Sequence, residues 1–405
     1  MRLRWVWPWA ALLLYPLPGY GQERVLTIDE ALALAREQAA SVVLAKGRIE
    51  EARARQAQAG RRFQENPALE VNGGLRRAED EHFDFEAAVS QDLYSGSRRT
   101  ARLAGTRAAL ERAEAELEDA RRLLLRDVWT TFVRVVAAQE RAAFLARSRE
   151  AADALLSATE RRYEAGEATA LELNRARTAA AGARAGQGSA EAEGSATLAG
   201  LKALLGLDPG EAVEVRGPLP ARPPVEVESL LAGLDRRPDL QALAAELREA
   251  EAEVLLGQAL TRPEVGVRGG VAREEGAEIV TAGVVVTLPF HNRGEETLAV
   301  GQARADALRQ ALAASRRAAE MEVRGWHSAL TRRLAAAREL EQTALPALDD
   351  NESLALKSFE AGEINLGELL LIRREILETR LAYLDRLLDA SLTRLELESA
   401  AGALR

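Results

Sequence analysis

Cysteine is absent from all 405 residues. That excludes disulfide frameworks, thiolate metal sites, thiol nucleophiles and an N-terminal lipid-modified cysteine. Aromatic residues make up only 4% of the chain, and Trp5, Trp7 and Trp9 fall within its first ten positions. A core built from Ala and Leu with so few aromatics suits close helix–helix packing better than a large globular interior. No segment approaches the about 18 uncharged apolar residues of a transmembrane helix. The three histidines, His82, His291 and His327, are widely spaced. Their sequence contexts are a loop, the end of a strand and the middle of a helix. No Ser/His/Asp arrangement, phosphate-binding glycine loop or metal-ligand cluster accompanies them, so neither catalysis nor a cofactor is expected.

The chain opens with the basic Arg2 and Arg4, an apolar Trp5–Tyr15 and a small Gly19-Tyr20-Gly21 site. This is the pattern of a secretory signal peptide over residues 1–21, with cleavage expected before Gln22. Losing the two arginines moves the formal charge from −9 to −11 (−9 − 2). An acidic exported protein is a poor nucleic-acid binder. An exported chain without a transmembrane helix is either soluble or crosses an outer membrane as a β-barrel.

What the chain has in quantity is repetition. YEAGEATALEL (Tyr163–Leu173) returns as FEAGEINLGEL (Phe359–Leu369), 196 positions on. At the same offset Pro67 falls on Pro263, Gly73-Gly74 on Gly269-Gly270, Tyr94 on Phe290 and Gly105 on Gly301. One register shared by separate stretches marks an internal duplication. The halves are read as 22–205 and 229–405, joined by a Pro/Gly-rich linker at 206–228.

Each half repeats one plan. A helix is expected from Ile28 to about Arg62, opened by a Thr27/Glu30 capping box and ended by Pro67. Leu69, Val71, Gly73 and Leu75 then alternate with polar positions, as do Phe83, Phe85, Ala87 and Val89, which predicts a β-hairpin. Its strands have the 9–11 residues that cross an outer membrane when tilted. The second half repeats the hairpin around a turn at Arg273–Glu278, but both faces of its last strand carry apolar residues, so the pattern does not assign a lipid side. A very long helix follows from about Arg98 to Tyr163. Its counterpart, from about Glu295 to Phe359, is expected to kink or break at Pro346. Return helices run from about Ala168 to Leu205 and from Asn365 onward, the latter with a leucine seam.

At both EAGE motifs a glycine closes one helix. Thr169 and Asn365 cap the next, with Glu172 and Glu368 completing capping boxes. A helical-hairpin turn explains Gly166, Gly362 and the caps. It does not explain why YEAGE and FEAGE agree, since solvated tips are free to vary; a shared docking role does.

These tips, the RRPDL of Arg236–Leu240, the strand exits VSQDLYSGSRR (Val89–Arg99) and VVVTLPFHNRG (Val284–Gly294), and the closing YLDRLLDASLTRLELESAAG (Tyr383–Gly402) together resemble the TolC-like outer membrane efflux proteins. The likeness is strongest to the heavy-metal-efflux (CzcC/CusC-like) branch. It covers nearly the whole mature chain.

The resemblance implies a mainly α fold with a β-barrel part. Long coiled-coil helices form a periplasmic α-barrel, and four strands per chain join a trimeric twelve-stranded barrel in outer membrane lipid. Four strands alone cannot close, since the smallest outer-membrane barrels have eight. It further implies a passive exit duct for an inner-membrane efflux pump and a periplasmic adaptor protein, in cation, heavy-metal or drug efflux. The adaptor-binding tips would be Gly166, Glu167, Thr169, Gly362, Glu363 and Asn365. Glu172 and Glu368 would stand at the periplasmic entrance, although Leu371 occupies a position that is acidic in some members. Phe83, Phe85, Tyr94 and Phe290 are candidate membrane-interface aromatics, with ordinary strand packing the alternative for each. The competing reading is a soluble periplasmic coiled-coil adaptor, which would carry one helical hairpin rather than two.

Overall fold

The computed structural model describes residues 24–404, apart from 62, 64, 78–80, 94–95, 220–222 and 275–276. A short strand β1 (Arg24–Leu26) leads into α1 (Ile28–Gln38), where the capping box between Thr27 and Glu30 forms as expected. The expected single helix is in fact two. Ala39 is extended at φ −64°, ψ 124°, and α2 (Ala40–Ala59) starts afresh and stops well before Pro67. Neither Gly nor Pro marks this break. The bend lets Leu26, Ala31, Leu32 and Ala35 share one core with Val42, Ala45 and Ile49, so burial overrides local propensity.

Strands β2 (Ala68–Arg77) and β3 (Glu81–Leu93) form the first hairpin. His82 therefore lies in a strand, not a loop, because pairing with Arg76 extends the ladder further than the charged sequence suggested. Helix α3 (Gly96–Glu164) then runs 69 residues without interruption, about 100 Å at 1.5 Å per residue. Helix α4 (Ala170–Leu205) returns. The Pro/Gly-rich stretch that follows is more than a connector. Its β4 (Val213–Val215) pairs in parallel with β1 and buries Val213 and Val215 in the same core as Leu26.

The second half opens with α5 (Val227–Leu231), a 3-10 turn and α6 (Pro238–Leu260). Strands β5 (Glu264–Glu274) and β6 (Ala277–Thr287) follow, so the turn is tighter than the expected Arg273–Glu278. Helix α7 (Glu295–Glu339) passes through a π-helical turn at Leu340–Ala344 into α8 (Leu345–Glu360), and α9 (Leu366–Ala400) closes the chain. The expected interruption is present, and Pro346 sits in the first turn of α8. Proline lacks the N–H and crowds the carbonyl four residues back, which the wider π turn accommodates.

The duplication holds in three dimensions: β2 and β5, the ends of α3 and α8, and the starts of α4 and α9 are each 196 residues apart. The strands form one antiparallel sheet in the order β2-β3-β5-β6. Register assigns the faces that sequence alone left open. Val89 lies opposite Leu69 and Gly269, Gly269 opposite Ala282, and Val267 opposite Val284. Thus Val280, Ala282, Val284 and Val286 share the face of Leu69, Val71, Phe85 and Val89. The other face carries Glu70, Glu86 and Arg268, whose guanidinium lies 3.1 Å from both carboxylates. Two apolar cores occupy the middle of the helical part, and a third lies at the tips.

Candidate functional site

Both tips are built by one hydrogen-bond scheme. At the first, Gly166 N–H donates to the Tyr163 carbonyl (3.0 Å) and Glu167 N–H to that of Arg162 (2.7 Å). At the second, Gly362 donates to Phe359 (3.1 Å) and Glu363 to Ser358 (2.8 Å). Both glycines have φ +77°, the left-handed value of a Schellman closure. Nothing lies within 4 Å of where a Cβ would project from either.

The next helices are capped reciprocally. Glu172 N–H donates to Thr169 Oγ1 (3.2 Å) while Thr169 N–H donates to Glu172 Oε2 (2.7 Å). Glu368 N–H donates to Asn365 Oδ1 (3.1 Å) and Asn365 N–H to Glu368 Oε2 (2.9 Å). The bonds from the Thr169 backbone and hydroxyl, aided by Arg162 and Arg175, hold the Glu172 carboxyl below its usual 4.5. A carboxylate lowered in the folded state contributes stability above 4.5 that is lost as pH falls through its lowered value. Protection of the amides at the start of α4, taken relative to their intrinsic exchange rates, is therefore expected to fall in acid, and Glu172→Gln to remove that pH dependence. Equal profiles for the two proteins would show that the cap carries no charge-linked stability.

The fold brings the two tips together. Leu155 and Ala176 of the first hairpin pack with Ala355, Leu366 and Leu369 of the second. The Arg162 guanidinium lies 5.8 Å from the centre of the Phe359 ring, and Arg175 presses against the backbone at Gly367. The equivalent aromatics thus differ: Phe359 is half-buried under Arg162, whereas Tyr163 is 44% exposed.

Above the tips, α3, α4 and α9 form a groove of about 900 Å³ lined by Arg147, Arg175, Arg373, Arg374 and Arg380, with Glu352 of α8 the one carboxylate in its lining among the described residues. Sequence reasoning missed it, because its arginines come from three helices and read singly as solvated-face charges.

At the opposite end, Phe83 and Phe85 lie on the apolar face near the hairpin turns, both exposed, and the Phe83 ring covers Gly73. Phe290, 67% exposed, follows the helix-side end of β6. Tyr94 lies outside the described residues. Where sheet meets helix, Arg98 is buried, pairing with Glu264 at 2.9 Å and donating to the Arg262 carbonyl at 3.0 Å. His291 and His327 stand in a turn and within α7, and among the described residues no three His, Asp or Glu side chains gather to hold a metal.

A model of the outer membrane efflux protein family matches residues 31–207 and 232–403. The chain belongs to that family. The cobalt-zinc-cadmium resistance protein CzcC of Cupriavidus metallidurans is 27% identical to the efflux protein over 303 residues, spanning 74% of this chain and 72% of CzcC. The CmeC outer membrane channel of Campylobacter jejuni superposes with a TM-score of 0.78 at 16% identity, over 93% of this chain and 85% of CmeC. CusC, a transmembrane channel, gives 0.77 at 17%, over 92% and 91%. These likenesses show the same fold. The efflux protein is an outer membrane exit duct whose helices extend into the periplasm, and the soluble-adaptor reading is not favoured.

Proposed function

We propose that this efflux protein is a homotrimer in which three four-stranded sheets close one twelve-stranded barrel, and that it passes metal cations received from an inner-membrane pump through a periplasmic adaptor. The sheet carries the reading. One face is apolar along all four strands, the other carries Glu70, Glu86 and Arg268 beside Ile279 and Val285 of β6, and the outer edges of β2 and β6 are unpaired in a single chain. Unpaired edges are not tolerated in lipid, so strands of neighbouring subunits must meet there. Phe83 and Phe85 at one rim and Phe290 at the other supply interfacial aromatics. The exposed tips, Gly166 to Thr169 and Gly362 to Asn365, are the adaptor-facing end. Likeness to a cobalt-zinc-cadmium resistance protein favours metal cations as cargo.

The particle extracted from membranes in mild detergent is expected to have the mass of three chains by light scattering with detergent subtracted. A monomer or dimer in the aqueous fraction would overturn the reading. Glu368, exposed on the second tip, is assigned to a ring of three carboxylates at the entrance. In planar bilayers Glu368→Ala should reduce cation-over-anion selectivity several-fold, and unchanged selectivity would show that Glu368 faces away from the lumen.

A further inference from the structure

The duplication relates the two open edges of the sheet to a junction that the chain already contains. Within the chain, β3 of the first half pairs antiparallel with β5 of the second. Strand β5 repeats β2 at the offset of 196, Leu69 falling on Val265 and Gly73 on Gly269. Strand β6 repeats β3 one place later. Ala68 pairs with Ser90 and its counterpart Glu264 with Thr287 (287 − 90 = 197), before the offset returns to 196 at Tyr94 and Phe290. The β6 edge of one copy and the β2 edge of another therefore correspond, residue for residue, to β3 and β5. Ala88 opposite Gly270 becomes Val285 opposite Gly74. Likewise Val89 opposite Gly269 becomes Val286 opposite Gly73, and Ala87 opposite Val271 becomes Val284 opposite Leu75.

The transferred register passes two checks that it could have failed. Val284 and Val286 share the apolar face with Gly73 and Leu75, whereas a slip of one residue would turn one strand's apolar side chains to the polar face. The glycines fit as well. An added Cβ at Gly270 would lie 2.9 Å from the Ala87 carbonyl oxygen and 3.0 Å from Ala88 Cβ, so the β3–β5 junction is tight there. Its counterpart Gly74, on the open edge of β2, has nothing within 4 Å. Val285, an apolar residue on the polar face, lies opposite Gly266 within the chain. With Gly74 on its other side, glycine flanks it on both sides. The row of partners Leu69, Val89, Gly269, Ala282 then meets Arg77 of the next copy, eight residues further along β2 (77 − 69 = 8). That stagger, with the number of strands, sets the diameter of the lumen.

We propose that residues 282–287 on the β6 edge of one copy pair antiparallel with residues 72–77 on the β2 edge of the next, with Val285 facing Gly74. The inference rests on the trimer reading and adds its register. The test is disulfide formation, for which the chain has no competing cysteine. Gly74→Cys is combined in turn with Gly283→Cys, Val285→Cys or Thr287→Cys, all three on one face of β6. Gly74 and Val285 lie on opposite outer strands of the sheet, so a bond between them joins copies and not one chain to itself. Facing residues of an antiparallel pair lie about 4.5–5.5 Å apart, within disulfide reach, whereas residues displaced by two lie about 7–8 Å apart, beyond it. The full protein is oxidised in its membrane fraction, extracted in mild detergent and run on a non-reducing denaturing gel. The Val285 combination should run as three linked chains, and the Gly283 and Thr287 combinations and each single variant mainly as one. Leu75→Cys with Val284→Cys, a matched pair on the apolar face, should link as well. Linkage through Gly283 or Thr287 instead, or no linkage by either matched pair in a particle with the mass of three chains, would overturn the register. A particle with the mass of one chain would sink the trimer reading itself.

Discussion

Replacing Gly362 with leucine is expected to abolish efflux while leaving the assembled particle intact. The glycine has φ +77°, where an L-residue costs about 1–2 kcal/mol. That is a local penalty at a solvent-exposed turn, too small to unfold helices anchored by Leu366 and Leu369. The space beyond is open, so an added side chain meets nothing within the subunit and projects to where a partner would sit. Blocking a buried contact at an interface centre costs at least about 2 kcal/mol, or about 30-fold in affinity. Gly362→Ala separates the causes, since it carries the same backbone strain with little reach. Efflux lost with Leu and retained with Ala assigns the position to docking. Equal loss, accompanied by dissociation of the particle, would return Gly362 to a folding role alone.

Arg98→Ala should be the most destabilising single change at the junction of sheet and helices. Its guanidinium joins the first turn of α3 to the C-terminal end of α6 and to Glu264, the first residue of β5. Truncation leaves the Glu264 carboxylate, with a quarter of its side chain exposed, beside carbonyls that have lost a donor. Removing one partner of a buried pair costs 3–5 kcal/mol, and the partial exposure of Glu264 places this case at about 3. Denaturant titration in detergent measures the loss, and Glu264→Gln, which keeps an acceptor, should lose less. A stability change within about 0.5 kcal/mol, typical of ordinary surface sites, would show that the pair is dispensable.

What could be read from the chain was local or periodic. The boxes at Thr27, Thr169 and Asn365 formed because each needs only residues three apart. The long helices and the hairpins followed their 3.6- and 2-residue periods, and the duplication fixed where each would recur. What escaped depends on distant partners. The break at Ala39 is imposed by a core that includes β1 and β4, strands of three residues whose pairing spans the entire first half. The lipid side of β6 needed the register with β5, since Ile279 and Val280 are equally apolar. The groove needed α3, α4 and α9 side by side. At the tips the caps were legible, whereas the contact of Arg162 with Phe359 was not, because nothing in either motif announces the other.

The uninterrupted α3 also bears on how the cell envelope and this duct are matched in size. A helix of this length behaves as a ruler, and the second half measures the same span with α7, the π turn and α8, ending 196 residues after the first. One heptad inserted into α3 alone would displace the first tip by about 10 Å, pulling Arg162 away from Phe359 and Leu155 from Leu369. The reach of the tips therefore changes only when several helices lengthen together by matched amounts.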